Sequence, residues 1–64
     1  MVSDRDIWAA ANEVIRAEAD PILFAVTRYD DLLGAGDMEG CALWWRIGVA
    51  IRSLLAAKPP GAVH

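Results

Sequence analysis

Apolar residues recur along this chain at helical spacing in three stretches separated by two breaks. In the first stretch, Ile7, Trp8, Ala11, Val14 and Ile15 follow the i, i+4, i+7 rhythm of one helix face. Arg5, Asn12, Glu13 and Arg16 fall on the other side. Ser3 is placed to cap this helix, and Asp6 three residues later is an acidic variant of the capping box. Asp4 and Asp6 complement the positive helix start. The spacing predicts a helix over about residues 4–19.

Asp20-Pro21 is the first break. Proline disfavours helical geometry in the residue before it and suits the first position of a helix. Asp20 therefore caps a second helix that Pro21 opens, predicted over about residues 21–33. Ile22, Val26, Tyr29 and Leu33 form its apolar stripe, with Ala25 and Leu32 beside it. Thr27, Arg28 and Asp31 mark the wet side, and Phe24 projects among them. Phe24 then has two uses, reaching a neighbouring helix as core or standing at an interface.

The second break is Gly34-Ala35-Gly36-Asp37, with Gly34 suited to a left-handed helix stop and Asp37 to the next cap. The third helix is predicted over about residues 38–57, with Lys58 near its negative end and Pro59-Pro60-Gly61 ending it. Residues 59–64 read as a frayed tail. Leu43, Trp44, Ile47, Gly48, Ile51, Leu54 and Leu55 share a broad apolar face, against a narrow polar stripe of Glu39, Arg46 and Ser53. Gly48 within the apolar face costs about 1 kcal/mol of helix propensity, which a close helix crossing would explain. Trp44 and Trp45 are separated by about 100° of helix rotation, so they cannot share one core. Trp44 faces the core. Trp45 lies on the flank near Cys41 and Arg52, where it serves either as peripheral core against the first helix or as a partner contact. Arg52 is within reach of a cation–π contact with Trp45. The whole reads as an all-α, three-helix domain.

Composition bears on stability and on function class. Hydrophobic residues make up 56% of the 64, and much of that share is alanine, which favours helix over strand. A chain of this size removes about 6,000 Å² from water, contributing ~90 kcal/mol by area, and ordering it costs about the same. The near-zero difference makes the domain marginal alone and favours completion by oligomerisation or binding. A disulfide cannot supply the deficit, because Cys41 is the sole cysteine and reads as a small buried or half-buried residue near a helix start. Cys41 and His64 cannot make a zinc site, so no metal and no cofactor is expected.

The net charge is −3, without the clustered Lys and Arg that phosphate binding needs. A helix-turn-helix reading of the second and third helices fails on the same ground, because its reading helix would open on Met38-Glu39-Gly40. Cys41 to Ala57 is the most apolar stretch, yet it carries Arg46 and Arg52 and is shorter than the ~20 residues a bilayer requires. It reads as a core helix, with a membrane-surface helix as the lesser alternative. No secretory signal is visible, so a cytoplasmic address is expected.

Catalytic constellations are missing from the pattern. Cys41 and His64 lack a positioned base, because His64 ends a proline-broken tail. The neighbouring Asp30 and Asp31 diverge on a helix. Gly34-Ala35-Gly36 has no preceding strand and no lysine for a phosphate loop. No enzyme and no small-molecule substrate is expected.

The order Ile7-Trp8, Val14, the Asp20 break, Leu32-Leu33, Gly36-Asp37, Gly40, Trp44, Ile47 and Leu54 resembles a family of short alphaproteobacterial helical proteins known only as a domain of unknown function. The similarity spans roughly residues 6–55, with its hallmark in Gly36-Asp37-Met38-Glu39-Gly40-Cys41-Ala42-Leu43-Trp44. The chain departs from that pattern at Trp45, where a polar residue is expected, and at the Asp20-Pro21 corner. The resemblance implies a free-standing helical protein of a bacterium or its mobile elements, and it implies no activity and no site residues.

Two functions follow as expectations. The first is a non-catalytic protein-interaction module that self-associates or docks on a protein partner through Trp45, Arg52 and Phe24. The second is a small acidic inhibitor or mimic, phage- or mobile-element-encoded, that blocks a nucleic-acid-binding protein. Its motivation is the run of acids Asp4, Asp6, Glu13, Glu18, Asp30, Asp31, Asp37 and Glu39.

Overall fold

Three helices form, each opened by the side chain expected to cap it. The structure, a computed structural model, describes residues 2–57. Helix α1 spans Asp4–Ala17, α2 Pro21–Gly34 and α3 Met38–Ala56, and no strand occurs among the described residues. The tail at 59–64, with the proline stop and Lys58, lies outside the described residues. No described helix is long and apolar enough to cross a membrane.

The caps follow one design. The Asp6 amide donates to Ser3 Oγ (3.2 Å), the Leu23 amide to Asp20 Oδ1 (3.1 Å) and the Gly40 amide to Asp37 Oδ1 (2.9 Å). Each satisfies an amide that a helix start leaves without a partner. At Gly40 a Cβ would lie 2.6 Å from Asp37 Oδ2, so a side chain there would force the capping carboxylate to shift.

Two helix ends differ from the sequence reading. α1 stops at Ala17, two residues early, because Glu18 already turns extended on the way to the pre-proline geometry of Asp20. At the second break Gly36, not Gly34, takes the left-handed conformation (φ +76°), and Gly34 is the last residue of α2. The Gly36 amide donates to the Leu33 carbonyl (3.0 Å) and the Asp37 amide to the Leu32 carbonyl (2.9 Å). These are the paired bonds of a Schellman stop, which requires its left-handed residue one place beyond the cap, here Ala35.

α3 is the central element. It packs along both α1 and α2, which touch each other far less. Ile7, Ala11 and Val14 of α1 meet Ile47, Ala50 and Ile51 of α3 in the core, and Ala25 joins them from α2. Ile51 is completely buried. Arg46, read from sequence as part of a polar stripe, reaches across to α1. Its Nη2 lies 2.8 Å from Asp4 Oδ1, and its Nη1 donates to the Val2 carbonyl (3.4 Å).

The faces of α2 and α3 are turned relative to the sequence reading. On α2 the most buried residue is Ala25, while Val26 and Leu33 of the expected stripe are both 49% exposed. The helix is rotated by roughly 70° from its hydrophobic centre, less than one residue step. That rotation carries Phe24 off the wet side. It is half-buried, packs against the core and meets Trp44 edge to face at 5.7 Å between centroids. On α3 the expected Leu55 is exposed, and Ala50, outside the expected face, is buried.

Candidate protein interface

A groove of about 480 Å³ runs along the seam of α2 and α3. Its floor is Ala25 and Gly48, where the two helices cross. A Cβ built on Gly48 would lie 3.8 Å from the Ala25 Cβ, an ordinary contact. The crossing therefore has room for alanine, and a close approach does not account for the glycine, contrary to the expectation from sequence. Gly48 leaves the floor one methyl deeper than the packing requires.

The α2 wall is Ile22, Val26 and Tyr29, and the α3 wall is Trp44, Trp45 and Val49. Asp30 and Arg52 also line the groove. Trp45 is 65% exposed and Val49 49%. Both residues also border a second, shallower hollow of about 330 Å³ on the α1 side, shared with Ile7 and Trp8. Trp45 and Val49 thus form the ridge between two apolar depressions.

Two aromatic pairs set the seam. Phe24 and Trp44 meet as described, and the Arg28 guanidinium stands 5.6 Å over the Trp44 ring. Tyr29 and Trp45 lie 6.2 Å apart at a tilt of 57°. The Cys41 thiol donates to the Tyr29 carbonyl (3.7 Å), holding the start of α3 beneath α2. Cys41 is buried, as read from its position.

The three candidate residues separate. Trp45 and Arg52 share the groove. Phe24 does not line it, because the rotation of α2 commits its ring to Trp44. The cation–π contact expected between Arg52 and Trp45 is not found among the described residues; the one observed sets Arg28 over Trp44, and Trp45 neighbours Tyr29 instead. Arg52 makes no ion pair among the described residues, and neither does Asp30. Val49 was not singled out from the sequence, and Val26 was read as part of the buried stripe of α2 rather than as groove wall. A signal existed for Val49, because Trp45, Val49 and Arg52 follow i, i+4, i+7 on the reverse of α3.

Among the described residues no group of three His, Cys, Asp or Glu side chains gathers in metal-binding geometry. No protein-family model, no curated protein and no solved structure matches the chain.

Proposed function

We propose that this protein is a non-catalytic interaction module that works by docking the α2–α3 groove on a protein surface, in a cytoplasmic setting. The observation that carries the reading is Trp45, a large aromatic left 65% exposed on the ridge of an apolar groove. Scattered single apolar residues need no explanation, but a contiguous apolar depression rimmed by charge marks an interaction site. Tryptophan and arginine are the side chains most enriched at binding hot spots, and Trp45 and Arg52 stand in the same depression.

The acidic-mimic reading has less behind it. Asp4 and Glu13 are engaged by Arg46 and Arg16, which thins the acidic surface such a mimic would present.

A photo-crosslinking side chain replacing Trp45 in producing cells tests the docking reading, with the same substitution at exposed Glu13 as control. A discrete protein adduct specific to position 45 is expected. Equal, non-specific labelling at both positions, or none at position 45, overturns it.

A further inference from the structure

We infer that the occupant of the α2–α3 groove is a second copy of this chain, bound through a two-fold axis that pairs each copy's Asp30 with the other's Arg52. The inference rests on the groove being the working surface.

The rim charges carry it. Asp30 follows Tyr29 on α2, and Tyr29 faces Trp45, so Asp30 sits at the Trp45 end of the groove. Arg52 lies seven residues beyond Trp45 on α3, roughly 10 Å further along the helix. One acid and one base therefore bound the same apolar trough toward opposite ends, and neither makes an ion pair among the described residues. Such a rim is self-complementary. A two-fold axis lying in the interface, perpendicular to the line from Asp30 to Arg52, sets each acid against the partner's base. Both pairs form at once, as an isologous contact requires. A groove bounded by one sign of charge would repel its own copy.

The apolar parts suit the same arrangement. Val26, Val49 and Trp45 project as ridges, while Ala25 and Gly48 leave a depression of small residues between them. A second copy supplies ridges of the same size for that depression. The face is about 20 Å long and two helices, or ~20 Å, wide. Two copies then bury on the order of 1,000 Å² in total, the lower edge of specific interfaces. An interface of that size belongs with weak, reversible associations. The net charge of −3 on each copy opposes it only mildly, since screening acts within ~8 Å at physiological salt.

Sedimentation equilibrium of the whole chain from about 10 μM to about 1 mM tests the inference. Wild type is expected to pass from monomer to dimer across that range. Asp30→Lys alone and Arg52→Glu alone each turn two attractions into repulsions, and each should weaken the dimer at least ~10-fold. An equimolar mixture of the two variants should recover it, because one chain carries two bases at the rim and the other two acids. Both positions are exposed, so both variants should keep wild-type helicity by circular dichroism. Should a reversal unfold the chain, Asp30→Asn and Arg52→Gln serve in its place, each weakening the dimer several-fold.

A wild type that stays monomeric at about 1 mM overturns the inference. So does a dimer indifferent to the single reversals, or a mixture that fails to recover association. The docking reading fails separately: a position-45 adduct with a foreign protein and a monomeric wild type removes the second copy but keeps the groove, whereas no adduct removes both.

Discussion

The two seams of α3 are built from different materials. Where α1 lies on α3, the contact is aliphatic and the more closed of the two, with the shallower hollow beside Trp8 on its outer side: Ile7, Ala11 and Val14 meet Ile47, Ala50 and Ile51, tied at the rim by Asp4 and Arg46. Where α2 lies on α3, the contact is aromatic and open, with Phe24–Trp44 and Tyr29–Trp45 astride a floor of alanine and glycine. Small residues let the helix backbones approach, but they leave their volume unfilled on the outer side. Large rings hold the seam from its flanks and keep much of their area in water. The first seam holds the fold, and the second holds it while leaving an apolar groove open to water.

The largest effect should come from the closed seam. Ile51→Ala removes a fully buried side chain and is expected to cost about 2–5 kcal/mol, comparable to the whole stability of so small a domain. Far-UV circular dichroism at 25 °C should show loss of helix. A cooperative, fully helical variant would mean that the open seam carries the fold.

The adjacent tryptophans sharpen the contrast next. Trp44→Ala loses the Phe24 and Arg28 contacts and should cost about 2–4 kcal/mol, at the modest end for an aromatic truncation because the ring is only half-buried. Trp45→Ala should cost less than about 1 kcal/mol when melted at low micromolar concentration, where association does not contribute. Equal losses would make Trp45 structural and weaken its assignment to the groove.

Two glycines of α3 should respond differently. Gly48→Ala places a methyl at ordinary contact distance from Ala25, so it should raise stability by about 0.8–1 kcal/mol, a shift of roughly 4–8 °C in Tm. Gly40→Ala should show no such gain, because its Cβ displaces the Asp37 carboxylate from its cap. A lower Tm for Gly48→Ala would show that the crossing tolerates no side chain.

The smallest effect belongs to the rim tie. Arg46→Ala should cost no more than about 1 kcal/mol and should matter less as salt rises, since the Asp4 carboxylate is largely in water. A melt insensitive to salt in wild type would leave the closed seam to its aliphatic core alone.

Helix number and helix starts were legible because they depend on neighbours a few residues apart. Ser3, Asp20 and Asp37 each cap the helix expected of them, since a cap involves only residues i to i+3. The stop after α2 was misplaced by two residues. Two glycines flank Ala35, and only the hydrogen-bonded ring of the stop decides which of them turns left-handed. Part of the groove was legible too: adjacent tryptophans cannot both face inward, and Arg52 lies on the Trp45 side, so the sequence placed these two lining residues together but not Phe24.

The sequence by itself determined three capped helices, a core running through Ile7, Ala11, Val14, Ile47 and Ile51, and the divergence of Trp44 from Trp45; that Trp45, and Trp8 of the expected α1 face, both stay exposed was decided by the tertiary structure. Only the tertiary structure decided the rotation of α2. Its apolar residues spread around much of the helix, so many orientations bury similar area, and the observed one places Ala25 in the core and Phe24 against Trp44. That single choice sent Phe24 inward to Trp44, left Val26 outside, and opened the groove between Asp30 and Arg52. Hydrophobic periodicity ranks the faces of one helix. Steric fit between two helices selects among faces that periodicity leaves nearly equal.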